Sequence, residues 1–142
     1  MAVWQAKFNI STGYTLPSGW KYWSGYKRLQ ERLSEIMPMG NSWHKDLQCW
    51  GQDGGNQAEL WLREDDSGTF NIRVDLRGDY FDFISKISLI LAELGLKVEH
   101  DGDVVEPDAN RMLSIAQGSN AFRFVSDPHR FIRHLRQESH NQ

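Results

Sequence analysis

Apolar and polar residues alternate from the start of the chain. Trp4, Ala6, Phe8 and Ile10 are interleaved with Val3, Gln5, Lys7 and Asn9, and a period of two marks a strand with one buried face. Residues 11–20, with Gly13, Pro17, Ser18 and Gly19, predict a loop. The period then changes. Tyr22, Tyr26, Leu29, Leu33 and Ile36 recur at helical spacing and predict a helix that begins between Gly19 and Ser24, ended by Pro38 and Gly40.

Residues 43–76 predict a three-stranded meander. Its strands place Trp43, Leu47 and Cys49, then Ala58, Leu60 and Leu62, then Phe70, Ile72, Val74 and Leu76 on one inward face. Asp53-Gly54 is a two-residue hairpin signal. Closing the hairpin there sets Cys49 opposite Ala58 and Leu47 opposite Leu60. The next connection, Asp65-Asp66-Ser67-Gly68-Thr69, suits a type I turn with Gly68 in the left-handed region. It sets Leu62 opposite Ile72 and Leu60 opposite Val74.

Asp79 is placed to cap a second helix, with Ile84, Ile87, Leu91 and Leu94 buried and Gly95 as its stop. Leu96 to Glu99 predicts a short strand before an Asp101-Gly102 turn. Pro107 opens a short helix through Ala116, closed by Gly118. Ala121 to Val125 is strand-like. Asp127-Pro128 starts a last helix anchored by Phe131 and Leu135, with a frayed tail from about Ser139. The sum is one α+β domain over residues 1–142, with helices on one face of a largely antiparallel sheet.

Composition narrows the function classes. A single cysteine, Cys49, excludes an internal disulfide and a cysteine-cluster metal site. No apolar run reaches membrane-spanning length, and the N-terminus lacks a basic-then-apolar leader, so a cytoplasmic location is expected. His100-Asp101-Gly102-Asp103 lacks the pattern of a calcium loop, no Gly-x-Ser-x-Gly occurs, and no glycine loop cradles a phosphate. No catalytic residue, metal or cofactor is expected. The net charge of −3 hides an uneven spread, because residues 51–110 hold 14 Asp and Glu against 5 Lys and Arg.

The candidate contact surface is the second face of the meander. The expected register puts Trp50, Glu59, Trp61, Arg63, Arg73 and Asp75 there, with Asp65 and Asp66 at the rim and Trp61 opposite Arg73. Aromatics and arginine inside a polar surround have the composition of a protein-binding hot spot. The same residues also suit a solvated sheet face. Two other functions stay open: a small enzyme or ligand-binding domain using a cleft near Tyr14–Tyr26, and a nucleic-acid module using Tyr and Trp beside Lys21, Lys27 and Arg28. The acidic middle argues against the last.

Four phrases carry a resemblance: Gly55-Asn56-Gln57-Ala58-Glu59-Leu60-Trp61, Ile72-Arg73-Val74-Asp75-Leu76-Arg77, Val104-Val105-Glu106-Pro107 and Ala121-Phe122-Arg123-Phe124-Val125-Ser126-Asp127-Pro128. In that order, over about residues 50–135, the chain resembles small bacterial immunity proteins of polymorphic toxin systems. The resemblance implies a non-enzymatic protein that binds a cognate toxin and blocks it. An acidic surface would speed association with a basic toxin domain.

Overall fold

Six antiparallel strands pair in the order β2-β3-β4-β1-β5-β6, and helices pack on one side of them. This α+β architecture comes from a computed structural model that describes residues 1–129 together with 132, 133 and 136. The elements are β1 (Gln5–Ser11), α1 (Tyr26–Ile36), β2 (Leu47–Gly51), β3 (Gln57–Trp61), β4 (Phe70–Asp75), α2 (Tyr80–Glu93), β5 (Lys97–His100), β6 (Asp103–Val105), α3 (Ala109–Gln117) and α4 (Asn120–Ser126). Strand β1 lies between β4 and β5 and is antiparallel to both. β4 and β5 therefore run parallel, joined by α2 across the sheet.

One sheet face is the core. Ala6, Phe8, Ile10, Ala58, Leu60, Phe70, Ile72, Val74 and Val98 meet Leu29 and Leu33 of α1, Ile84, Ile87 and Leu91 of α2, and Met112 and Ala116 of α3. The expected α2 stripe and its cap hold, with the Asp79 carboxylate accepting the Asp82 N–H at 3.1 Å. Gly95, at φ +68°, stops that helix as its sequence predicts. Glu93 joins α2 to α1 through Arg28 and Arg32, at 3.2 and 2.8 Å.

The hairpin between β2 and β3 closes differently from the expectation. Its loop is Gln52–Asn56, so Trp50 faces Ala58 and Cys49 faces Glu59, a shift of one residue. The cause is Gly51, which adopts φ +88°, and a Cβ there would stand 2.0 Å from the Asn56 carbonyl oxygen. Five loop residues replace the expected two because the chain turns early at that glycine. A slip of one residue exchanges the two faces of a strand. Trp50 consequently points into the core, where it is fully buried and its Nε1 donates to the Ser34 hydroxyl of α1 at 3.0 Å.

The β3–β4 register moves by an even number, so its faces survive. Leu60 opposes Phe70, and Glu59 opposes Asn71. Leu62 leaves the ladder to donate its N–H to the Asp46 carbonyl at 2.7 Å. Gly68 is not in the left-handed region. It is small because a Cβ would lie 2.5 Å from the Trp61 carbonyl oxygen.

Three further expectations change. Helix α1 begins at Tyr26, because buried Trp20 holds residues 20–22 in a separate 3-10 turn, edge-on to Trp23 and Phe70, and Tyr22 is left exposed. The Asp101-Gly102 turn has positive φ at both residues, the geometry that closes a two-residue hairpin, so a sixth strand, β6, follows it. The strand-like run Ala121–Val125 is helical. Ser119 caps α4 by accepting the Phe122 N–H at 3.2 Å, and short apolar runs do not distinguish helix from strand by period. Pro128 and His129 are helical, as the Asp127-Pro128 start predicts, while Phe131, Leu135 and the tail lie outside the described residues.

Candidate protein-contact face

With all the helix-borne core residues on one side, the second face of the sheet carries the polar half of each strand. Its middle row runs Cys49, Glu59, Asn71, Asn9, Glu99 and Val104, one residue from each strand. Lys7, Asn9 and Glu99 are exposed, and no helix among the described residues covers them.

Aromatic groups concentrate at the end of this face formed by the start of β2 and the end of β3. Trp61 is half-buried beside Leu47, its cross-strand partner. The Trp43 ring meets Trp61 edge-on, with centroids 5.6 Å apart, although Trp43 is 79% exposed. His44 lies 5.3 Å from Trp61 and 5.8 Å from Trp43. Its Nδ1 accepts the Asp46 N–H at 3.0 Å, which fixes the ring's orientation. The Arg63 guanidinium stands over Trp61 at 5.2 Å, within range of a favourable cation–π contact. Single exposed apolar residues are ordinary on a protein surface. Here an exposed tryptophan is joined to a second tryptophan, a histidine and an arginine.

The residues expected on this face separate into three groups. Trp61, Arg63 and Glu59 are on it, and so are Arg73 and Asp75. Trp50 is not, because the register shift buries it on the opposite side. Asp65 and Asp66 are exposed in the β3–β4 loop, as a rim position requires. Trp61 does not oppose Arg73, whose strand neighbour is Gln57. Arg73 instead pairs with Glu59 at 2.9 Å, with both side chains less than one-fifth exposed. An Arg73→Glu change would set two carboxylates side by side, so it perturbs folding as well as any contact.

Local work absorbs several of the remaining charges. The Asp65 carboxylate accepts from the Ser67 hydroxyl and N–H, and this holds it below the ordinary aspartate range. Glu106 pairs with Lys97 at 2.7 Å, and Asp108 caps α3. His100 to Asp103 form the hairpin turn. Among the described residues no group of three or more His, Cys, Asp or Glu is placed to hold a metal ion. Cys49 is half-buried on the open face rather than inward, and burial, helped by the Glu59 charge, pushes its thiol up. A thiol so shifted is a poor nucleophile.

No family model matches this chain, and no curated protein or solved structure matches it. No helix among the described residues is long and apolar enough to cross a membrane.

Asp75 closes the far end of the face. Burial works to raise its carboxyl, but the Arg77 guanidinium and N–H, at 3.0 Å, outweigh that and lower it. Arg77 in turn covers the Trp4 ring at 3.9 Å. A depressed carboxylate stabilises the fold above its unfolded value, and the gain disappears as pH falls through the folded value. Asp75→Asn is expected to cost about 1 kcal/mol at neutral pH. The gap from the unaltered protein should close in acid, below the ordinary aspartate value of about 3.9. Denaturant midpoints at neutral and strongly acidic pH check this.

Proposed function

We propose that this chain is a non-enzymatic protein-binding protein, an immunity protein that neutralises a cognate bacterial toxin. The observation that carries the proposal is the uncovered sheet face with Trp43 standing exposed against Trp61, His44 and Arg63. Tryptophan and arginine dominate the energetics of protein interfaces. The end of strand β3 holds Trp61 with little ordering cost, and Trp43 and Arg63 meet it from the flanking segments. The phrases over residues 50–135 that resemble immunity proteins support the same reading. Several of the other charges among the described residues cap helices or close turns, as Asp79, Asp108 and Asp65 do. Blocking a toxin needs a shaped surface and no chemistry of its own.

The contact surface has Trp43, His44, Trp61 and Arg63 at its centre, Glu59 and Arg73 beside them, and Asp65 and Asp66 at the rim. Trp50 is part of the core. The test is capture of the partner from the native cells, followed by expression of that partner alone. A single stoichiometric protein that arrests growth by itself, and is tolerated when this chain is coexpressed, is the expected result. A captured partner that is harmless without this chain would overturn the toxin assignment.

A further inference from the structure

We propose that the centre of the open sheet face receives a side-chain carboxamide, from asparagine or glutamine, of the protein partner. The assignment rests on the protein-binding reading above and adds the partner's chemistry. Among the described residues, two buried side-chain atoms lack a hydrogen-bond partner, Asn71 Oδ1 and Arg73 Nε. Both belong to β4. Phe70, Ile72 and Val74 of that strand are in the core, so Asn71 and Arg73, which alternate with them, share the open face. Asn71 is 5% exposed. Glu59 takes both terminal nitrogens of Arg73, at 2.9 and 3.3 Å, and leaves Nε unspent. A buried acceptor and a buried donor without partners cost the free protein stability. They stand two residues apart on the face that no helix among the described residues covers.

The chemistry of the occupant follows from what these atoms lack. Asn71 Oδ1 needs a donor, and Arg73 Nε needs an acceptor. A carboxamide carries both, on separate atoms of one planar group. An ammonium or guanidinium offers donors alone, and a carboxylate offers acceptors alone. The surrounding charge also favours a neutral group. Lys7 opposes Arg73 across the ladder, and Glu99 opposes Asn9, the cross-strand neighbour of Asn71. With Glu59, the centre holds two cations and two anions, so an ion of either sign would meet a like charge. Lys7, Asn9 and Glu99 are exposed, and neither Lys7 nor Glu99 is in a salt bridge among the described residues. Exposed side chains change rotamer within nanoseconds, which opens a way to the buried pair. Glu59 and Trp61 share one face of β3, so the amide site adjoins the aromatic cluster.

The probe is propionamide, the end of a glutamine side chain, titrated into the full chain labelled with nitrogen-15, beside isosteric propionate. Amide shifts centred on Lys7, Asn9, Asn71 and Arg73 are expected. Propionate should bind about tenfold more weakly, the worth of one lost hydrogen bond. Asn71→Leu, which keeps the size of the side chain, should abolish the propionamide shifts. Its urea midpoint should equal or exceed the parent's, because an unpaired buried acceptor has been removed. The partner captured from the native cells should bind this variant about tenfold more weakly than the parent. A lower midpoint would mean that Asn71 is satisfied in the free protein and would overturn the assignment. Equal responses to propionamide and propionate, or shifts centred elsewhere, would do the same. No partner enters the propionamide titration. Amide recognition, with a captured partner indifferent to Trp43→Ala and Trp61→Ala, would refute only the protein-binding reading of the face. Weakened partner binding in those two variants without amide recognition would refute only the carboxamide site.

Discussion

Trp50→Ala is expected to destabilise the protein by about 3–5 kcal/mol, the range for removing a fully buried large aromatic. Trp50 has no exposed surface, faces Ala58 across the ladder, and donates its indole N–H to Ser34. Alanine leaves an unfilled cavity between β2 and α1. Ser34 is exposed, so its hydroxyl recovers water and adds little to the loss. The same substitution at Trp43, 79% exposed, should stay within about 0.5 kcal/mol. Urea or thermal unfolding of the two variants separates the cases. Similar small effects from both would mean that Trp50 is on the open face after all.

Gly51→Ala should destabilise by about 2 kcal/mol or more, because alanine resists positive φ. The φ of +88° is only part of the cost. The added Cβ would stand 2.0 Å from the Asn56 carbonyl oxygen, which is backbone and has little room to move. The loop it would disturb is tied to the rest of the sheet: Trp4 Nε1 donates to Gly54 O, and Gln5 Nε2 donates to Gly55 O, each at 2.6 Å. Asn56 Oδ1 accepts the Asp75 N–H at 2.8 Å. The loss is read as a lower unfolding midpoint with an unchanged denaturant slope. An unchanged midpoint would mean that Gly51 does not set this register.

These two neighbours explain what the sequence revealed and what it concealed. Alternation identified β1, β3 and β4 with their inward residues, because period two survives any even change of register. It failed at β2, where Asp53-Gly54 gave a valid turn signal but Gly51 turns the chain earlier. Both registers bury an apolar set: Leu47 and Cys49 in one, Trp50 in the other. What decides between them is the space beneath Ser34, which a sequence does not display. The contact face was legible at Trp61, Glu59 and Arg63. Trp43 and His44 were missed because the same odd register sent Trp43 inward. Their signal was a tryptophan-histidine pair just after Gly40-Asn41-Ser42, outside any strand. Helix α4 was missed for a different reason: five apolar-rich residues fit either period, and its start is set by the Ser119 cap, which that pattern does not weigh.

The open face also explains why the overall charge says little. Of the acidic groups in residues 51–110, many cap helices, close hairpins or pair with a lysine or arginine. Glu64, in no salt bridge among the described residues, lines a groove with His44 and Arg63 beside the aromatic cluster, and Asp66 is exposed in the same β3–β4 loop. Attraction of a basic partner would act through that corner, screened by salt over about 8 Å in physiological buffer.

The most direct test of the account is the affinity of the captured partner for the Trp43→Ala and Trp61→Ala variants, measured by calorimetry against the unaltered chain. The account predicts that each loses about 2 kcal/mol, a weakening of about thirtyfold, with Trp43→Ala unfolding at the same midpoint as the parent. Unchanged affinity in both variants would contradict it and move the contact surface off the open sheet face.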